Sequence, residues 1–178
     1  MFRLSFLAIA VCIVGDAAAI ARGRPYNIGH VANAQAIRAA GISISPNGAG
    51  LPPGSGNAVK GRTVYQTHCA ACHGTKGEGN AGYPALVGGQ GTLKSNQPIL
   101  TVGSYWPYAT TVWDYINRAM PYADAGRLMP REVYAVTAYV LFMNGIVGEH
   151  EEINKKSLAK VRMPNRDGFT SDPRPDVP

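Results

Sequence analysis

The sequence predicts a mainly α-helical fold with irregular extensions at both ends. Three observations predict it. Apolar residues recur at helical spacing in residues 110–119 and, more strongly, in 131–144. A third helical stretch, residues 58–73, ends in Cys69-Ala70-Ala71-Cys72-His73. Between these helices, residues 74–104 are rich in glycine and read as loop.

The ending of that third stretch carries the chemistry. Cys-x-x-Cys-His is the attachment pattern of c-type haem. Cysteines three apart on one helical turn can each add to one vinyl group of a haem, and the histidine that follows reaches the iron as proximal ligand. Cys69 and Cys72 are therefore the covalent attachment residues and His73 is the first iron ligand. Two plainer readings compete: a thioredoxin-like redox pair and half of a zinc site. Zinc needs four ligands, and the only other cysteine, Cys12, falls in a segment that reads as removable. A redox pair wants a strand–helix context, which the flanks do not show.

The length of 178 residues suits one domain with extensions, or at most two small ones. Residues 1–19 read as a secretory signal. Arg3 supplies the positive start, residues 4–14 an apolar run too short to span a bilayer, and Ala17-Ala18-Ala19 the small-residue cleavage pattern. The expected location is the periplasm, with no stable membrane anchor. The net charge of +6 favours acidic partners, and no nucleic-acid motif accompanies it.

Residues 20–57 form an N-terminal extension. Ile28, Val31, Ala32, Ala36 and Ile37 predict a short helix that Gly41 stops. Residues 46–57 are rich in proline and glycine and read as a linker or wrapping strap. The central domain spans 58–147. In its first helix Gly61, Val64 and Tyr65 share one face, and Gly61 permits close approach of another helix. If the chain wraps back over His73, the carbonyl of Pro84 is the candidate acceptor for the ring N–H of that histidine. Residues 110–119 bury Val112, Trp113, Ile116 and Ala119, with Thr110 or Thr111 as cap and Pro121 as terminator. Residues 131–144 present Val133, Val136, Tyr139, Val140, Phe142 and Met143, between Pro130 and Gly145. Residues 148–178 turn polar and read as a solvated tail or a docking arm.

The second axial ligand is chosen among methionines. Met143 lies on an apolar helix face and Met163 beyond the last helix. His68 points from the attachment helix, and His30 and His150 lie outside the domain. Met120 and Met129 remain, each followed by a proline that imposes extended geometry. Met120 is favoured, because it leaves a helix whose apolar face suits a pocket; Met129 is the alternative. Tyr105, Trp106, Tyr108, Trp113 and Tyr115 cluster just before Met120, available either for haem propionates or for core packing.

With these residues in hand, the chain resembles class I cytochromes c. The likeness covers the first helix, Cys69 to Gly74, Pro84-Ala85-Leu86, a methionine loop and a closing helix. Residues 103–108 and 111–121 look like the cytochrome subunit of bacterial sulfite or sulfane dehydrogenases, the SoxD type. So do 50–56 and 163–169, which lie in the two extensions. This resemblance implies one haem c in a class I fold, and a molybdenum-cofactor subunit as electron donor. That subunit would oxidise sulfite or protein-bound sulfane sulfur in the periplasm. It also implies Met120 as axial ligand. The chain departs from the family in having Met129 where the last helix usually opens with threonine, which keeps the alternative ligand open. The implied role is one-electron transfer toward a downstream cytochrome or oxidase, with no catalysis by this chain itself. A free diffusible carrier and a haem protein with an open iron site are the other readings.

Overall fold

The computed structural model describes residues 30–41 and 43–174. The expected signal segment, residues 1–19, lies outside the described residues. The chain divides at Ala40 into two units. In the first, helix α1 (Ala34–Ala40) is capped by Asn33, whose side-chain oxygen accepts the Ala36 N–H at 2.8 Å. The helix expected over this stretch stops before Gly41, but it begins only at Ala34, and residues 30–33 are not helical.

The second unit runs from Gly41 onward. Strand β1 (Ser55–Gly56) leads into α2 (Ala58–His68) and the short α3 (Ala70–His73). A long loop follows, then α4 (Ala109–Ala119) and α5 (Pro130–Met143). Strand β2 (Ile153–Asn154) closes the unit by pairing antiparallel with β1, Ser55 opposite Asn154 and Gly56 opposite Ile153.

Helix α5 is the centre. Every residue from Val133 to Leu141 is buried, so it is covered on all sides by α2, α4 and the two strands. Its ends follow from sequence. Pro130 takes the first helical position, and the Glu132 carboxylate accepts the Met129 N–H at 2.8 Å. Gly145 donates to the Phe142 carbonyl and Ile146 to Leu141, the paired bonds of a glycine-terminated helix. At the crossing with α2, a Cβ on Gly61 would overlap the Ala135 carbonyl. Beside this point Tyr65 packs on Tyr139 with ring centroids 5.3 Å apart.

Two details differ from expectation. Thr110 does not cap α4. The helix starts one residue earlier, and Thr110 is buried with its hydroxyl donating to the Pro46 carbonyl at 3.3 Å. The helix over 58–73 is also not continuous. Cys69 (φ −124°, ψ −39°) breaks it, and the last turn is re-aimed as α3.

The strap and the tail belong to the core. Leu51, Ile153, Leu158, Val161 and Met163 join the same buried cluster as Tyr65, Trp113 and Val136. The Tyr134 hydroxyl donates to the Pro52 carbonyl at 2.9 Å, and burial pushes that hydroxyl up to about 12. The polar character of 148–178 concealed this, because its apolar residues are single and widely spaced. Met163, read from sequence as a tail residue, is fully packed. The tail is thus anchored to the core as far as Met163.

Two substitutions test this packing. Leu158→Ala should lower unfolding free energy by about 2–5 kcal/mol, the range for an emptied core leucine site. Gly61→Ala should cost about 1–3 kcal/mol by overpacking the crossing. Denaturant titration followed by circular dichroism measures both.

Candidate haem site

The motif is held from both sides. The Tyr65 hydroxyl, buried at the α2–α5 contact, donates to the Gly74 carbonyl at 2.8 Å, just past His73. Such a bond contributes about 1 kcal/mol net. Burial, and then the neighbouring Cys69, raises this hydroxyl well above the usual phenol range. On the other side, the Gly79 N–H donates to the His73 carbonyl at 2.8 Å. Leu86 and Val87 both donate to the Gly77 carbonyl, folding the loop back over the motif. Gly77 has φ +75°, and a Cβ there would strike Val87, so the turn needs glycine.

This return places Pro84 beside His73. The His73 Nδ1 lies 2.9 Å from the Pro84 carbonyl oxygen. A carbonyl only accepts, so Nδ1 carries the proton and Nε2 keeps its lone pair for a metal. Cys69 sits at the α2–α3 junction and Cys72 within α3, and neither is in a disulfide. Burial pushes the Cys69 thiol up to about 11, with Cys72 adding to the shift. An unmodified Cys69 is therefore a neutral thiol at pH 7.

The two methionine positions differ. Met120 caps the end of α4 in extended geometry (φ −126°, ψ 145°) and is half-buried. Met129 precedes α5, also extended (φ −68°, ψ 152°), but is 54 % exposed. His30 and His150 are exposed, and His68 is half-buried at the end of α2. Among the described residues no group of three His, Cys, Asp or Glu side chains could hold a metal ion directly. Two thiols and one oriented imidazole on a single turn suit a covalently attached haem better than a bare ion. The buried indole N–H of Trp113 has no acceptor among the described residues, and a carboxylate of a bound group is one that would satisfy it.

The cytochrome c family profile matches residues 58–144. One chain of the sulfane dehydrogenase SoxCD from Paracoccus pantotrophus is similar in structure, with a TM-score of 0.77 and 38 % identity. That match covers 85 % of this chain and 75 % of the other. The chain belongs to the cytochrome c family. Its cofactor is haem c, covalently attached.

A further relative of this cytochrome is the cbb3-type cytochrome c oxidase subunit FixP of Bradyrhizobium sp. (strain ORS 278), 32 % identical over 92 residues. That match takes in 49 % of this chain and spans only 31 % of FixP. Among the described residues of the cytochrome, no helix is long and apolar enough to cross a membrane.

The contacts made by the aromatic cluster before Met120 are with other protein side chains. Trp113 is core, packed on Tyr134 at 5.3 Å. Trp106 stacks edge-on against Tyr115 at 5.7 Å, and Tyr105 against Phe169 of the tail at 5.2 Å. Sequence reasoning passed over two buried polar residues. Asn144 accepts from Gly88 N–H and donates to the Leu86 and Val140 carbonyls, tying the loop after Pro84 to the end of α5. Asp114 is buried and paired with Arg118 at 2.6 Å. Its signal was available as an Asp–Arg pair four apart on a helix. Asn144 gave none, since its partners in the loop, Leu86 and Gly88, are backbone groups over fifty residues away.

Met120→Ala should abolish the near-infrared band of methionine-ligated ferric haem while leaving the haem covalently bound. Met129→Ala should retain the band. Absorption spectra of the two oxidised variants decide between the ligands.

Proposed function

We propose that this cytochrome is a periplasmic monohaem electron-transfer subunit. It accepts electrons one at a time from a molybdenum-cofactor dehydrogenase subunit that oxidises a reduced sulfur compound. It passes them to a downstream cytochrome or oxidase. The observation that carries this reading is the breadth of the likeness to the SoxCD chain. It covers 85 % of the sequence, far more than the 58–144 span of the family profile. A diffusible carrier needs only the central domain.

Bound haem supplies a ferric/ferrous couple, and this chain's residues set its surroundings. Cys69 and Cys72 would attach the haem through thioether bonds. His73 and Met120 would ligate its iron, with Met129 the alternative to Met120. Methionine opposite histidine raises the potential. The Pro84 carbonyl holds the His73 proton on Nδ1, which fixes ring orientation and strengthens Nε2 as a donor. The chain contributes no bond-making chemistry of its own.

The match to FixP takes in only 49 % of this chain, and a second reading rests on such a domain alone: a free diffusible carrier. Mild affinity purification from the native periplasm, with molybdenum assayed in the eluate, separates the two. Stoichiometric molybdenum with a larger co-purifying chain is the expected result. A lone red protein without molybdenum, after gentle handling at low salt, would establish the carrier instead.

A further inference from the structure

The strap and the tail meet on one face in an open groove of about 700 Å³. Asn47 comes from the strap, Tyr108 from the start of α4, and Lys155, Lys156, Lys160 and Arg166 from the tail. None of these four cations pairs with a carboxylate among the described residues. The ion pairs found there use Arg62, Arg118, Arg127, Arg162 and Arg174. A concave surface lined by one sign of charge focuses the field and attracts the opposite sign.

The cations are carried on ordered backbone. Leu158, Val161 and Met163 are buried between them and anchor the segment to the core. The Lys156 N–H donates to the Asn154 side chain at 2.8 Å, and the Asn165 side chain donates to the Tyr105 carbonyl at 2.8 Å. The Arg166 guanidinium lies over the Tyr108 ring, 4.5 Å from its centroid. That stacking leaves the planar N–H edge free to meet a carboxylate in two parallel bonds.

The groove also lies away from the proposed axial methionine. Tyr108 and Met120 cap opposite ends of α4, about 18 Å apart at 1.5 Å per residue. A surface at that distance holds a partner and leaves the electron's route elsewhere. Its breadth and four charges exceed what one tetrahedral oxyanion would use. A run of carboxylates matches both.

We propose that this groove docks an acidic, carboxylate-bearing segment of a protein partner. This inference does not depend on which donor the cytochrome serves. The test uses the intact haem-loaded protein and a hexaglutamate peptide as probe, at an ionic strength of about 20 mM, where screening is weak. Amide resonances of residues 155–166 should shift on titration. Lys155→Glu with Lys156→Glu should weaken binding about tenfold or more, and Lys160→Glu alone by a smaller factor. The control pair Lys60→Glu with Lys94→Glu, outside the groove, should stay within about twofold of the parent. All of these side chains are exposed, and unchanged haem absorption and thermal midpoints verify folding. Equal losses in the two pairs would overturn the proposal in favour of diffuse attraction by net charge. Inorganic sulfate binding as tightly as the peptide at matched ionic strength would overturn it in favour of a small oxyanion site. Absence of shifts at 155–166 would overturn it outright.

Discussion

Where α2 crosses α5, a Cβ on Gly61 would overlap the Ala135 carbonyl, so the two helices meet backbone to backbone. Much else is referenced to this crossing. Tyr65 lies one turn further along α2, packs on Tyr139 of α5, and reaches the Gly74 carbonyl with its hydroxyl. The haem-attachment turn is thereby fixed against the most buried helix of the protein. The loop after His73 is tied to the same helix, because Asn144 at its end bonds to backbone groups of Leu86 and Gly88. Helix α5 thus sets the position of His73 from one side and of Pro84 from the other.

The central helices are few and short. The strap and the tail make up part of the deficit. They deliver Leu51, Ile153, Leu158, Val161 and Met163 to the buried cluster and pair with each other as β1 and β2. Each side chain of this kind contributes roughly 1.5–3 kcal/mol on burial. The tail also carries the four cations of the groove. Its apolar residues face inward and its charges face out, so stability and surface charge come from one stretch of chain.

Much of the helical frame was legible in the sequence, because its signals are local. Pro130 and Gly145 bracket α5, and an apolar residue recurs on each turn between them. The extended geometry of Met120 and Met129 follows from the prolines after them. The proximity of Pro84 to His73 was inferred from one assumption about chain direction, and the loop does fold back that way. The start of α4 was misjudged because Thr110 is drawn into the core by a carbonyl of the strap, a partner 64 residues away. The packing of the tail was not legible because Ile153, Leu158 and Met163 show no period. Strand β2 packs on α5 and the turn at 158–160 on α4, and both elements are too short to show in the sequence.

The sequence by itself determined the chemistry of this protein. Two cysteines and a histidine on one turn admit a covalently attached haem, and the methionines available as a second ligand are few. These are short-range facts, set by covalent spacing and by backbone geometry next to proline. Only the tertiary structure decided which ring nitrogen of His73 carries the proton, what holds Gly74, and which residues of the extensions join the core. Each depends on an acceptor or an apolar surface far along the chain. A side chain's burial depends on what other segments bring to it, and that is resolved only when the chain has closed around α5.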